Sequence, residues 1–271
     1  MEEPLKIVKV VIPFLYLISW ILYLRLFQNN TKKAADYSSF FLKLSVAVHA
    51  IFTITGGILL ARHPAANLFE FISFMNLTVI FVYLILEHIH KNRYQGVFIV
   101  LPVIVLQFIA TTGPLFTSTP KELETIKFGI HSSLFAVGYG TLFLSFSYSL
   151  MSLVFLNSLK KKNYGILFEN LPPLKDLSTM SFRAGVGGFA VITAAILTGI
   201  FYAVMSDIEY SFNFRITATL IIWIFYAAFT VANILNRTTI KTRAAINVIS
   251  FFILISLTAL LHFYDSSWHR F

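Results

Sequence analysis

The sequence predicts an all-α membrane protein, a polytopic bundle of about eight transmembrane helices. Of its 271 residues, 57% are hydrophobic and only 12% are charged, about half the charged fraction of an ordinary soluble domain. The mean hydropathy of +0.78 comes from long apolar runs, and crossing a ~30 Å hydrocarbon core takes about 20 such residues. This composition excludes a cytosolic or secreted globular protein, and we expect residues 1–271 to form a single integral membrane domain.

Eight apolar segments are long enough to cross a bilayer. The first follows Glu2 and Glu3 without a small-residue cleavage pattern, so it predicts a retained span and not a signal peptide. The longest polar link, 160–181, contains three consecutive lysines and a Pro-Pro pair, and it is long enough for a short surface helix. The predicted spans are 7–27, 39–61, 68–89, 95–113, 128–157, 183–205, 216–235 and 244–264.

The net charge of +9 predicts an orientation in the membrane. The Lys and Arg residues lie in short loops between apolar runs, a distribution typical of membrane topology and not of nucleic-acid binding. Thirteen of them follow spans one, three, five and seven, seven lie on the opposite side, and Lys43 lies just inside span two. The positive-inside rule therefore predicts that both termini are outside.

The chain contains no cysteine, which limits the cofactors that it can hold. Disulfides, iron–sulfur clusters and thioether links to haem are excluded, so any metal must be bound by His, Met, Tyr or carboxylates. The sequence also lacks a Gly-rich phosphate loop, an HExxH zinc motif and a nucleophile–base arrangement. We therefore assign no catalytic residue and expect a protein that is not an enzyme.

Three intramembrane histidines are the main candidate ligands. His131, in span five, and His262, in span eight, both lie near the outer end of their spans, at about 5 Å depth by the helical rise. Two histidines at one depth on different helices match bis-imidazole ligation of a haem iron. The alternative is that each is an interfacial histidine bonded to a neighbour. His49 lies near the midplane of span two, on a stripe with Ser45 and Thr53.

Weaker candidates lie at the expected outer face. Asn67 and Glu70 open span three, where a carboxylate is also favoured simply by the helix dipole. Asp207 and Glu209 lie in the link between spans six and seven. Spans five and six carry small-residue faces, which predict either close helix packing or room for a flat ligand.

A series of short motifs in a shared order resembles the cytochrome c assembly superfamily of the CcsA and CcmC type. A His-led helix comes first, followed by a Lys-rich end, a Pro-Pro link and three further apolar spans, the last ending in a histidine. The resemblance covers about residues 39–264. The segments that carry it are GIHSSLFAVGYG at 129–140, LPPL at 171–174, RAGVGGF at 183–189, TGIFYA at 198–203, WIFYA at 223–227 and LHFY at 261–264.

The resemblance implies a function and a ligand set. In that family two external histidines ligate haem, and by position these correspond to His131 and His262, which would hold a non-covalent, b-type haem. The family's Trp-rich WWD segment is absent, because residues 204–215 contain no Trp. The chain therefore looks more like the HemX branch, which is associated with haem biosynthesis genes and thought to modulate glutamyl-tRNA reductase. The implied location is the bacterial inner membrane.

The sequence and the resemblance are compatible with three functions. The leading hypothesis is a protein that binds, exports or senses haem through His131 and His262, with cytochrome c assembly proteins or glutamyl-tRNA reductase as partners. His49 could then ligate a second haem. One alternative is an electron-transfer subunit with a permanent b-type haem that reacts with quinone. The other is a cofactor-free regulator whose 160–181 link docks a cytosolic haem-synthesis enzyme.

Overall fold

A computed structural model describes residues 2–29, 31–65, 67–114, 125–162, 165–205, 214–235 and 238–264. Every regular element in these ranges is a helix, which confirms the predicted all-α class. In chain order the helices are α1 (Glu2–Asn29), α2 (Lys32–Leu60), α3 (Leu68–His90), α4 (Gly96–Thr112), α5 (Ile126–Lys160), α6 (Ile166–Asn170), α7 (Leu174–Met205), α8 (Phe214–Ile234) and α9 (Ile240–Tyr264).

The membrane-spanning character of the bundle is confirmed. Within the described ranges, α1, α2, α3, α5, α7, α8 and α9 are long and apolar enough to cross a bilayer. α4 is shorter, with 17 residues, which is the lower limit for a transmembrane helix. Seven long helices and this shorter one account for the eight predicted spans.

The largest difference from the predicted boundaries is at the start of α7. The helix begins at Leu174, nine residues before the predicted span, and the short α6 lies within the predicted link. Pro172 and Pro173 lie immediately before α7. The carbonyl of Pro173 accepts hydrogen bonds from the backbone N–H groups of Asp176 and Leu177. The first turns of α7 are polar but helical. The hydropathy of the sequence therefore located the start of the apolar part of α7 and not the start of the helix.

The helices form two compact units. The first unit consists of residues Met1–Thr125 and Asn163–Pro172, so it contains α1 to α4 and α6. In it, α1 packs against α2 and α4, and α3 packs against α2 and α4. Since this division leaves membrane helices in both units, the single-domain expectation stays a prediction.

The second unit consists of residues Ile126–Lys162 and Pro173–Phe271, with α5, α7, α8 and α9. Glycines bring α5 and α7 together: a Cβ at Gly138 would lie 2.6 Å from Ile192 Cγ1, and one at Gly188 would lie 2.7 Å from Leu142 Cδ2. Of the two interpretations of the small-residue faces, close packing therefore holds at these positions. α9 packs against α5 and α8 in the same unit.

Candidate functional site

His131 is held between α5 and α7 in a defined orientation. Its Nδ1 donates to the backbone carbonyl of Ala195 at 2.9 Å. That carbonyl also accepts from the Thr198 hydroxyl at 2.8 Å. Because a carbonyl oxygen only accepts, Nδ1 carries the proton and Nε2 of the neutral ring carries the lone pair. Metal-bound histidines are oriented by this kind of hydrogen bond.

A glycine makes room for the His131 ring. A Cβ at Gly199 would lie 2.5 Å from His131 Cε1 and 3.0 Å from Nδ1, closer than side-chain atoms approach one another. The Phe135 ring also packs edge-on against His131 at 4.9 Å between centroids, and Tyr139 packs against Phe135 at 5.9 Å. His131 therefore lies in a slot formed by α7 and the next two turns of α5.

The register of α9 brings its last turn toward the level of His131. The hydroxyls of Tyr139 and Thr258 are hydrogen-bonded, which joins α5 to α9. His131 precedes Tyr139 by two helical turns, and His262 follows Thr258 by one turn on the same helix face. α5 and α9 cross in opposite directions, so the two histidine backbones lie about one turn apart in depth. The side chain of His262 lies outside the described part of the chain.

His49 is the centre of a buried hydrogen-bond chain in the first unit. Its Nδ1 is 3.0 Å from the Tyr16 hydroxyl and its Nε2 is 2.9 Å from Ser73 Oγ. Gln107 Nε2 donates to the same Ser73 hydroxyl at 3.0 Å, and Asn76 Nδ2 donates to Gln107 Oε1 at 3.0 Å. The chain connects α1, α2, α3 and α4. Since both ring nitrogens of His49 are engaged, ligation of iron would require one of these bonds to break.

Asn67 and Glu70 form the corner between α2 and α3. The Asn67 side chain caps α3 by accepting from the Glu70 backbone N–H at 2.9 Å. The Glu70 carboxylate makes a bidentate ion pair with Arg62, with both N–O distances at 2.8 Å. The Arg62 side chain is only 2% exposed and that of Glu70 16%. The geometry gives both predicted residues a structural role at this corner.

His63 lies in the same corner, outside the membrane-spanning segments. Burial lowers its pKa below the ordinary value; the Glu70 carboxylate partly opposes this, while the Arg62 guanidinium adds to it. Its ring packs edge-on against Phe74, with 5.4 Å between centroids. Burial at this corner therefore favours the neutral form of His63.

A cavity lies next to this corner, and its volume shows whether this end of the first unit has room for a large ligand. It has a volume of about 50 Å³ and is lined by Lys9, Glu70, Ser73 and several apolar residues. Clefts that bind small molecules measure about 300–1,000 Å³. This cavity has room for water and not for haem. Asp207 and Glu209, the other secondary candidates, lie outside the described residues.

Two buried polar groups of the structure were not singled out from the sequence. Glu87, near the end of α3, accepts from Tyr23 at 2.5 Å and also from Ser39. In the second unit, Asn247 Nδ2 lies 2.7 to 3.1 Å from the hydroxyls of three serines on α5 and α7, namely Ser145, Ser149 and Ser181. An acidic or amide residue inside an apolar helix was the available signal for both.

Comparison with known proteins agrees with the architecture. A family model described as "Cytochrome C assembly protein" matches residues 65–268, which is most of the chain. The chain belongs to the cytochrome c assembly family. Both His131 and His262 lie inside the matched region of this family member, whereas His49 precedes it.

Two relatives are similar to this chain over most of their length. Protein HemX of Bacillus subtilis (strain 168) is 21% identical over 250 residues, which cover 89% of this chain and 88% of the relative. Protein HemX of Brevibacillus brevis is 23% identical over 197 residues, 71% of each chain. The resemblance to the HemX branch is thus confirmed, and the protein is a multi-pass membrane member of this family.

Proposed function

We propose that this family member binds a non-covalent, b-type haem at the outer end of its second unit, with His131 and His262 as axial ligands. The observation that carries the proposal is the hydrogen bond from His131 Nδ1 to the Ala195 carbonyl. It leaves the Nε2 lone pair as the donor to a metal. The protein would bind, deliver or sense haem in the bacterial plasma membrane as part of haem or cytochrome biogenesis.

The surroundings of His131 support a ligand role over a solvated interfacial one. Gly199 leaves room for the ring against the α7 backbone, and the Phe135 ring packs edge-on against it. His131 and His262 would hold the haem through their imidazole nitrogens, and the bound group would supply a redox-active iron. The residues of this chain would select one tautomer of His131 and hold its ring in a single orientation.

The experiment is a haem titration of the purified protein, followed by the Soret band. We expect one haem per chain with a bis-histidine spectrum. His131→Ala and His262→Ala should each weaken binding at least tenfold and change the spectrum. His90→Ala is the matched control, because His90 is an exposed histidine at the end of α3. Variants that bind haem as the parent does would overturn the ligand assignment.

A rescue experiment separates ligation from folding. In His131→Gly, added imidazole should enter the vacated space and restore the bis-histidine spectrum, which a purely structural role would not allow. Haem binding without any spectral response to imidazole would count against His131 as a ligand.

The electron-transfer alternative receives less support from the geometry. Two stacked haems usually need two pairs of histidines along a bundle, and His49 already has both nitrogens engaged by Tyr16 and Ser73. We therefore do not include His49 among the proposed ligands. Reduction of bound haem by a quinol analogue is the measurement that would restore this alternative.

One observation favours the regulatory alternative as a second candidate. α6 is anchored by Asn170, whose Nδ2 donates to the Phe27 carbonyl at 2.7 Å. In this helix the side chains of Ile166 and Phe168 are 47% and 43% exposed. They follow the three consecutive lysines by a few residues. Such a mixed surface could dock an enzyme of haem synthesis such as glutamyl-tRNA reductase.

Docking is tested by co-purification with glutamyl-tRNA reductase. The Ile166→Ser/Phe168→Ser variant should lose most of the retained enzyme, whereas Lys241→Gln, at an exposed position at the start of α9 and outside the 160–181 link, should keep it. Equal retention by both variants would exclude α6 as the docking surface.

A further inference from the structure

A cavity of about 520 Å³ opens at the inner end of the first unit. It lies among the end of α1, the first half of α2, the end of α3 and the residues that follow α3. Its polar lining includes Ser39, Lys43, Glu87, His88, Lys91 and Arg93. The size is that of a ligand cleft, and the haem proposal does not use it.

The cavity lies at the level of the lipid headgroups. Lys43 is 17 residues before the end of α2, about 25 Å along the helix. Glu87 is 19 residues after the start of α3, about 28 Å along it. Since the hydrocarbon core is ~30 Å thick, both residues lie near its inner boundary. The phosphates of the inner leaflet lie just beyond that boundary.

The charges in the cavity are partly neutralised by one another. Arg93 Nη1 pairs with Asp36 at 2.9 Å, and its Nε lies 3.9 Å from a Glu87 carboxylate oxygen. Glu87 also accepts from Tyr23 and Ser39. Arg93 is thus shared between two carboxylates, and Arg93, Asp36 and Glu87 together carry a formal charge of −1, which the two lysines of the lining exceed.

Two lysines of the cavity lining, Lys43 and Lys91, do not belong to this charge cluster. Among the ion pairs of the described residues, none involves Lys43 or Lys91. Both side chains are exposed. Lys91 ends α3, where a cation is favoured by the helix dipole, but Lys43 lies well inside α2 and has no such reason. A lysine at the edge of the hydrocarbon core extends its ammonium group toward the headgroups, where an anion can meet it.

We propose that the phosphodiester of an anionic membrane phospholipid occupies this cavity. Lys43 and Lys91 bind the phosphate, and Leu26 and Leu84, which also line the cavity, contact the start of the acyl chains. Basic pockets between transmembrane helices on the cytoplasmic side bind headgroups in this way. The site ties a specific lipid to α1, α2 and α3.

The test is a thermal-unfolding titration of the full chain in neutral detergent. Dioctanoyl phosphatidylglycerol should raise Tm by several degrees, whereas dioctanoyl phosphatidylcholine and inorganic phosphate should not. The Lys43→Gln/Lys91→Gln variant should lose most of this shift and bind the lipid at least tenfold more weakly. Lys33→Gln/Lys161→Gln is the matched control, since it removes two exposed lysines that do not line the cavity.

Each other outcome contradicts the proposal. An unchanged shift in the Lys43→Gln/Lys91→Gln variant would exclude these lysines, and an equal response to phosphatidylcholine would exclude anion recognition. A full response to inorganic phosphate would make the ligand a free anion and not a lipid. If the double variant does not fold, Lys43→Arg/Lys91→Arg replaces it. That variant should keep the response to phosphatidylglycerol, and its loss would overturn the proposal.

Discussion

The imidazole of His131 occupies the space that a side chain at Gly199 would fill. A Cβ there would lie 2.5 Å from His131 Cε1, and the same close approach lets His131 Nδ1 reach the Ala195 carbonyl on α7 at 2.9 Å. A glycine on α7 thus leaves space for the ring of a histidine on α5, and the Ala195 carbonyl selects its tautomer.

Haem binding should depend on the absence of a side chain at Gly199. Gly199→Ala should displace the His131 ring and weaken haem binding about tenfold, measured by Soret titration. Gly187→Ala, on the same helix, is the matched control, because its Cβ would meet only Thr141 Cγ2 at 3.9 Å. Equal haem affinities in the two variants would show that the close approach at Gly199 does not position the ligand.

The ion pair at the α2–α3 corner should contribute strongly to stability. Glu70→Gln leaves the buried guanidinium of Arg62 without a counter-charge, which should lower the free energy of unfolding by about 3 kcal/mol. Asp36→Asn breaks the Arg93 pair, in which the Asp36 side chain is 78% exposed, and should cost about 0.5 kcal/mol. Chemical denaturation in detergent measures both, and similar losses would contradict the expected effect of burial.

His63 should make stability depend on pH. Burial lowers its pKa in the folded protein, so below the ordinary histidine value of about 6.5 the unfolded chain takes up a proton that the folded chain resists. Stability is therefore retained above about pH 6.5 and falls as the pH drops toward 5. His63→Gln should reduce this fall in Tm, whereas His90→Gln, at an exposed position, should leave it unchanged. A parental slope in His63→Gln would exclude this contribution.

The serine cluster around Asn247 should stabilise the second unit. Asn247→Leu removes contacts to Ser145, Ser149 and Ser181 on two other helices, and we expect a loss of about 1–2 kcal/mol. Asn233→Leu is the control, since Asn233 Nδ2 donates to Phe229 within its own helix. A larger loss in Asn233→Leu than in Asn247→Leu would argue against the cluster as a link between helices.

His49 should matter for stability and not for haem content. His49→Leu breaks the chain between Tyr16 and Ser73 and should lower the free energy of unfolding by about 2 kcal/mol. Haem stoichiometry, measured by extraction from the purified variant, should stay at the parental value. A loss of haem in a variant that still folds would reinstate His49 as a ligand.

Some of these sites were visible in the sequence and others were not. His131, Asn67 and Glu70 stood out because they are polar residues at the ends of apolar spans. The residues that they contact could not be predicted in the same way. Nothing in the sequence near Ala195, Gly199 or Arg62 indicates which side chain each of them meets. The hydrogen-bond chain through His49 joins residues on four helices, and no sequence spacing relates them.

The sequence by itself determined the all-α class and the membrane-spanning segments, and it predicted a depth for each histidine. These properties follow from hydropathy and from the constant rise of a helix, which are one-dimensional. Only the tertiary structure decided which face of each helix meets which neighbour. It therefore decided that His131 donates to Ala195, that Glu87 accepts from Tyr23 beside Arg93, and that Lys43 lines a cavity at the end of α3. Those contacts depend on the rotation and register of packed helices, which side-chain shape sets across the interface.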